Sequence, residues 1–105
     1  MKSPEKCSSL NDVRCGIDAI DKEIFALFGK RLGYVLAAAQ FKPTEASIAA
    51  PDGVSDMLIE RTRWATMYGL PPHFVNDIYL PVIRWYISEQ TTFWKQKYGL
   101  QEKTK

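Results

Sequence analysis

The chain is poor in the residues that build covalent or metal-held sites. It has two cysteines, Cys7 and Cys15, with no second Cys or His at metal-ligand spacing, so we expect two reduced thiols rather than a disulfide framework or a metal site. Its one histidine, His73, lies at a proline-rich corner and is expected at the surface. Because no Ser/His/Asp set or phosphate-binding loop is present, we predict no hydrolytic, nucleotide-dependent or metal-dependent chemistry and no cofactor.

The chain also lacks a strong excess of one charge. Its 14 basic and 12 acidic residues give a net charge of +2, which creates no broad field for nucleic acid or a membrane surface. Residues 1–5 do not resemble an export signal, and no uninterrupted apolar run approaches membrane-spanning length. We therefore expect a cytoplasmic protein without a nucleic-acid or membrane partner, in which any anion is bound by a few placed cations.

Length and proline positions predict a single all-α domain over residues 1–105. A chain of 105 residues is too short to divide into two stable cores. Its prolines separate three helical stretches: 10–41, 51–69 and, after a corner at residues 70–72, a third that runs to about residue 98. Ser9 is a predicted N-cap with Asp12 three residues later, and Gly69 is a predicted terminator. Pro81 lies inside the third stretch and predicts a kink near Asp77, one turn earlier.

The first stretch carries a narrow apolar seam, which predicts a dimer. Its seam residues follow alternating steps of three and four: Leu10, Val13, Ile17, Ile20, Ile24 and Leu27. Such a helix would be roughly 45 Å long, which is too long to be covered within a compact chain of this size. We therefore expect a second copy to cover it.

Two polar residues interrupt the predicted core-facing seams. Arg31 continues the seam of the first helix, and Gln90 interrupts the seam formed in the third helix by Tyr79, Ile83, Tyr86 and Phe93, with Ile87 and Trp94 beside it. A buried cation or amide needs a partner, so together they suggest an apolar pocket with a few convergent polar groups. The structural alternative is that Arg31 pairs with Glu89 or Asp56 and that Gln90 bonds only to backbone.

Two further cations extend this set. Lys42 ends the first helix, where it either complements the helix dipole or sits on a mobile loop that closes over a ligand. Arg14 and Arg31 are roughly 25 Å apart along one helix and about 100° around it, so one small ligand cannot touch both. In an antiparallel pair of helices, Arg14 of one chain can approach Arg31 of the other, which makes the site shared.

The remaining aromatic residues mostly follow helical spacing and are expected in the core. The alternative is a nucleic-acid surface near the C-terminus, made of Trp94, Lys95, Lys97 and Tyr98, in which the rings stack on bases.

Arg14, Arg31, Lys42 and Gln90, in this order on the predicted helices, resemble the active-site set of the all-helical chorismate mutases. The resemblance to the isochorismate pyruvate lyase branch of that family is closer and covers nearly the whole chain. It is carried by Cys7 and by residues 1–5, 17–21, 34–35, 41–42, 59–61, 63–65 and 85–90.

The resemblance implies an intertwined homodimer of three-helix chains with two shared sites. Each site would take Arg31, Lys42 and Gln90 from one chain and Arg14 from the other. The apolar wall of each site would be formed by Val35, Ile48, Met57, Ile83 and Ile87, with Tyr86 nearby. The chain departs from the lyase branch at Gly53, where that branch often has arginine, and at Pro81.

The start of the second helix separates two possible activities. Related mutases place an acidic residue and an Arg-Glu pair there, whereas this chain reads Pro-Asp-Gly-Val-Ser over residues 51–55. The resemblance therefore implies a lyase that converts isochorismate to salicylate and pyruvate by a concerted pericyclic elimination. The salicylate would serve the biosynthesis of a siderophore or of another aromatic metabolite. One alternative is a chorismate mutase that forms prephenate, an activity that the lyase could also have as a weak side activity. The other is a non-catalytic helical dimerisation or regulatory module.

Overall fold

The computed structural model describes residues 2–49 and 51–99, without the side chains of residues 51 and 52. Within these ranges all regular structure is helical. A 3₁₀ turn, Pro4–Lys6, precedes α1, Leu10–Ala38. Two further 3₁₀ turns, Ala39–Phe41 and Glu45–Ser47, lead to α2, Pro51–Met67. A π-helical segment, Val75–Tyr79, then opens into α3, Leu80–Lys97. The three predicted helical stretches are therefore confirmed.

The chain forms two compact units. The first unit is Met1–Tyr34 and consists mainly of the greater part of α1. The second unit is Val35–Lys105 and holds the end of α1, both later helices and the turns between them.

The beginning of α1 is held by side chains of the preceding turn. The backbone N–H of Asp12 donates to the Ser9 hydroxyl at 3.0 Å, which confirms Ser9 as the N-cap. The Asp12 carboxylate accepts bonds from the backbone N–H of Ser8 at 3.0 Å and from the Lys2 amine at 3.1 Å. The Ser8 N–H, followed by Lys2, lowers the pKa of Asp12 below its ordinary value of 3.8, because both stabilise the ionised form.

The apolar seam of α1 is open to solvent in the single chain. Among the residues described in this helix none is buried, and the seam residues Leu10, Val13, Ile17, Ile20, Ile24 and Leu27 are all exposed. By length and composition the stretch Leu10–Phe41 could also cross a membrane. The six seam residues between Leu10 and Leu27, however, lie along one side of the helix, which is typical of a helix that packs against protein.

The end of α2 follows local rules. Gly69 has φ +75°, a left-handed conformation that glycine adopts without steric cost. The N–H of Gly69 bonds to the carbonyl of Thr66 at 3.2 Å, and the N–H of Leu70 bonds to the carbonyl of Ala65 at 2.8 Å. These two bonds form a Schellman motif and confirm Gly69 as the terminator.

The predicted irregularity before Pro81 takes the form of the π-helical segment. Leu80 donates its N–H to the carbonyl of Val75, five residues back. In a regular α-helix the Pro81 ring would clash with the carbonyl of Asp77 and leave it without an N–H partner. The wider π turn ends at Tyr79, two residues before Pro81, so the strain predicted near Asp77 is taken up by a change of helix type.

The core of the second unit lies where α3 meets the two 3₁₀ turns that follow α1. Ala39, Ile48 and Trp94 form a buried cluster, and Ile87, Phe93 and Tyr98 pack against it. The buried residues of α3 follow helical spacing: Ile83, Tyr86, Gln90 and Trp94. Trp94 therefore continues the seam that was predicted to run through Phe93, because the step after Gln90 is four residues rather than three.

Candidate active site

Gln90 is held at the end of α1 by a directional bond. Its side chain is 7% exposed, and its amide Nε2 donates to the backbone carbonyl of Val35. A carbonyl oxygen only accepts hydrogen bonds, so this contact fixes which end of the amide faces α1. A primary amide has two N–H donors, and the bond to Val35 occupies one of them. The backbone partner expected under the structural alternative is therefore present.

Lys42 lies where the chain leaves the helix. Its backbone is extended, with φ −95° and ψ 115°, as expected for a residue before proline. Its N–H bonds to the carbonyl of Ala39 at 3.1 Å, and its half-buried amine lies 3.5 Å from the carbonyl oxygen of Ser47. An amine carries three donors, so this long contact leaves donors for an anion.

The loop after Lys42 is packed onto α3. Thr44 and Ser47 form a reciprocal capping box around the short turn between them. Glu45 pairs with Lys95 at 3.0 Å, and Ile48 is buried in the core cluster. Contacts with α3 are thus made on both sides of Ser47, by Glu45 and by Ile48. Whether Lys42 complements the helix dipole or moves with a loop that closes over a ligand stays a prediction.

The predicted apolar wall belongs entirely to the second unit. Ile83, Tyr86 and Ile48 are buried, and Ile87 packs on the cluster that contains Ile48. The ring of Tyr86 meets that of Trp85 edge to face at 5.2 Å. The two remaining wall residues, Val35 and Met57, are half-buried.

The other two predicted cations belong to the first unit. Arg14 is exposed on α1. Arg31 is half-buried, and its Nη1 atom is shielded from solvent. Of the four polar residues, the structure thus brings Lys42 and Gln90 to the same packed end of one unit, and it leaves Arg14 on an open surface.

An open cleft of the second unit lies away from the predicted residues. It is apolar and is lined by Arg61, Trp64, Ala65, Tyr68, Leu70, Phe74, Val75 and Tyr79. The Arg61 guanidinium lies 4.3 Å from the centre of the Trp64 ring, and its Nε donates to the Tyr79 hydroxyl at 3.4 Å. Since the predicted site needs Arg14 from a second chain, a single chain is not expected to enclose it.

Together, the donors of Lys42 and Gln90 suit a neutral or anionic oxygen rather than a metal. Among the described residues no group of His, Cys, Asp and Glu could hold a metal ion. An amine and an amide beside an apolar wall can bind an oxygen on which negative charge develops and can hold a ring against Ile83 and Ile87.

Trp94 is the residue whose role the sequence did not reveal. Its indole Nε1 donates to the carbonyl of Lys42 at 2.9 Å, and the side chain is buried. Base stacking by Trp94 is therefore wrong as an alternative, because its ring is covered by protein. The signal available in the sequence was its position, one helical turn after Gln90.

Comparison with known proteins identifies the family. The chain is 48% identical over 99 residues to a Pseudomonas aeruginosa protein named isochorismate pyruvate lyase, covering 94% of this chain and 98% of that protein. It is also 31% identical over 78 residues to the T-protein of Enterobacter agglomerans, covering 73% of this chain and 21% of that protein. The profile of the family described as chorismate mutase type II matches residues 13–91. The chain therefore belongs to the chorismate mutase type II family.

Proposed function

We propose that this chain is an isochorismate pyruvate lyase, which converts isochorismate to salicylate and pyruvate. The observation that carries the proposal is the 48% identity to a protein of that name along almost the whole length of both chains. The packed arrangement of Lys42 and Gln90 beside an apolar wall supports it, since both are donors suited to an ether or carboxylate oxygen.

The proposed reaction is a concerted elimination. The ether C–O bond between the ring and the enolpyruvyl group breaks, and a ring hydrogen moves to the enolpyruvyl methylene carbon. The enolpyruvyl group leaves as pyruvate, and the ring becomes the aromatic ring of salicylate. Because the hydrogen passes directly between two carbons of the substrate, the protein needs no general base or cofactor. Its contribution is to hold a reactive conformer and to stabilise charge on the ether oxygen.

Each polar residue has a distinct proposed role. Lys42 and the second N–H of Gln90 bind the ether oxygen and the neighbouring carboxylate. Arg31, together with Arg14 of a second chain, binds the carboxylates. The apolar face that packs the ring is formed by Val35, Ile48, Met57, Ile83, Tyr86 and Ile87.

We further propose that the active form is a homodimer with shared sites. Support comes from the exposed seam of α1 and the uncovered cleft near Trp64, because a chain of this size gains little stability while such apolar surfaces face water. The free Cys7 and Cys15 fit the reducing cytoplasm.

Substrate assays separate the two enzymatic candidates. Salicylate has a characteristic fluorescence, so we expect it to rise when the purified protein meets isochorismate. Prephenate formation from chorismate is the second candidate activity, because the family profile is that of chorismate mutases. Efficient prephenate formation without salicylate would replace the lyase proposal with the mutase. Inactivity on both substrates, with no thermal stabilisation by a dicarboxylate ligand, would favour a non-catalytic dimerisation module.

Mixing two inactive variants tests the shared site. Arg14→Ala and Arg31→Ala chains should each be inactive alone, but a mixed dimer would hold one site with both arginines. Random exchange yields half mixed dimers, so about a quarter of wild-type activity should return. Failure to recover activity after verified subunit exchange would place both arginines in sites within one chain.

A further inference from the structure

Trp94 contacts the chain at the residue that the proposed function places on the ether oxygen. The carbonyl of Lys42 accepts the indole N–H at 2.9 Å, and the Lys42 N–H is taken by Ala39 at 3.1 Å. Both backbone polar groups of Lys42 therefore have partners, although the residue lies outside regular helix. Of these two partners, Ala39 lies in the turn that Lys42 ends, whereas Trp94 lies in α3.

Packing supports this bond from both sides. Ala39 precedes Lys42 and Ile48 follows it, and both are buried in one cluster with Trp94, which is 3% exposed. Apolar packing orders the neighbourhood, but it has no direction. A hydrogen bond from a buried indole does have direction, so it selects one position of the Lys42 carbonyl.

The same face of α3 also positions Gln90. Gln90 donates to the carbonyl of Val35, and Trp94 donates to that of Lys42, so two side chains one turn apart on α3 bind two carbonyls near the end of α1. A helix holds residues four apart at a fixed spacing of about 6 Å. Both carbonyls are therefore bound by one rigid helix, α3, and this helix sets the spacing between Gln90 and Lys42.

We infer that Trp94 is a positioning residue for the proposed reaction: its N–H holds the Lys42 amine at the distance from the Gln90 amide that the transition state requires. This inference rests on the proposed lyase function. Misplacing a reacting partner by about 1 Å can cost on the order of 100-fold in rate, so loss of one directional contact has a measurable effect even when the fold persists.

The sharpest test removes the N–H and keeps the ring. Incorporation of the benzothiophene analogue of tryptophan at position 94 replaces the N–H with sulfur at nearly constant shape. We expect kcat for salicylate formation to fall about 10-fold or more, with a smaller change in KM, because Lys42 acts mainly in the transition state. Trp94→Phe should show the same split, together with a lower Tm from the cavity it leaves.

Two matched variants control for the chemistry of the replacement. The same analogue at Trp85, an exposed residue of α3, should leave kcat unchanged. Fluorotryptophan at position 94 keeps the N–H and should retain wild-type kcat. Amide hydrogen exchange supplies a readout besides turnover: residues 42–48 should exchange faster in the benzothiophene variant, and residues 61–67 of α2 should not.

The outcomes are distinguishable. A wild-type protein that forms no salicylate from isochorismate overturns the proposed function before Trp94 is considered. An active wild type with a fully active benzothiophene variant overturns the positioning role alone. Faster exchange across the whole second unit, with kcat falling only as far as the folded fraction falls, also overturns it, because Trp94 would then be ordinary core.

Discussion

Two apolar helix faces of this molecule have the same residue spacing and opposite exposure. In α1 the seam residue Ile20 is 48% exposed, whereas Ile83 on the corresponding face of α3 is 2% exposed. Both faces repeat apolar residues at steps of three and four. The difference shows that periodicity identifies the side of a helix that needs a partner, but not whether the partner lies in the same chain.

The polar residues in the two faces differ in the same way. Gln90 interrupts the covered face and is tied to the backbone of the same unit through Val35. Arg14 lies on the open helix and is exposed in the single chain. The apolar face of α3 is covered by residues of its own unit. The apolar face of α1 would be covered only if a second copy of the chain packed against it.

Ile20→Glu, on the exposed face of α1, should have the largest effect, because it should prevent dimerisation. If a second chain covers the seam, each buried and unpaired carboxylate costs about 3 kcal/mol, or about 6 kcal/mol per dimer. The dimer dissociation constant should therefore rise about 10⁴-fold, and activity should be lost at micromolar protein. Sedimentation analysis and circular dichroism should show a helical monomer. Lys22→Glu, on the opposite side of α1, is the control and should remain dimeric and active. Retention of the wild-type assembly state by Ile20→Glu would contradict the proposed covering of the seam.

Lys42→Ala tests the chemistry of the packed unit. Removing one preorganised donor costs on the order of 100-fold in kcat, and at least this loss is expected for salicylate formation. Lys97→Ala removes an exposed cation that lies over the Phe93 and Tyr98 rings, and it should leave kcat near wild type. Near-normal turnover by Lys42→Ala would remove this residue from the mechanism.

Gln90→Glu tests how the covered face tolerates charge. Burial raises the pKa of a carboxyl group, and the Val35 carbonyl requires a donor, so the new side chain should function only when protonated. Its stabilising bond is present at low pH and is lost as the pH rises through the raised pKa. The lost pairing of a buried group costs about 1–3 kcal/mol, so we expect activity to be roughly 5-fold to 150-fold lower at pH 8 than at pH 5. Gln96→Glu, at an exposed position of α3, should show no such profile, and a flat profile for Gln90→Glu would count against the Val35 contact.

Asp12→Asn should have the smallest effect, at the open end of α1. The lowered pKa of Asp12 means that its ionised form stabilises the folded start of the helix. This stabilisation is present above pH 3.8, the ordinary value, and is lost as the pH falls through the lower folded pKa. The variant should melt slightly below wild type at pH 7, and the difference should vanish near pH 2. An equal difference at both pH values would mean that the charge of Asp12 is not responsible.

Local features of the fold were predictable because they depend on neighbouring residues. The Ser9 cap needs only the N–H of Asp12, and the stop at Gly69 needs only its left-handed conformation. The site of the π segment follows from Pro81, although its form as a π turn rather than a kink did not. Contacts across elements are harder to predict: the spacing of α3 places Trp94 beside the seam, and its bond to Lys42 spans 52 residues of sequence.

The sequence by itself determined the three helices, their ends and the sides on which apolar and polar residues fall, since these follow from turn chemistry and helical period. Only the tertiary structure decided which of those sides is covered within the chain and which backbone groups Gln90 and Trp94 hold. The reason is physical: a side chain's direction is set by its own helix, whereas its partner depends on how chain segments far apart in sequence pack together.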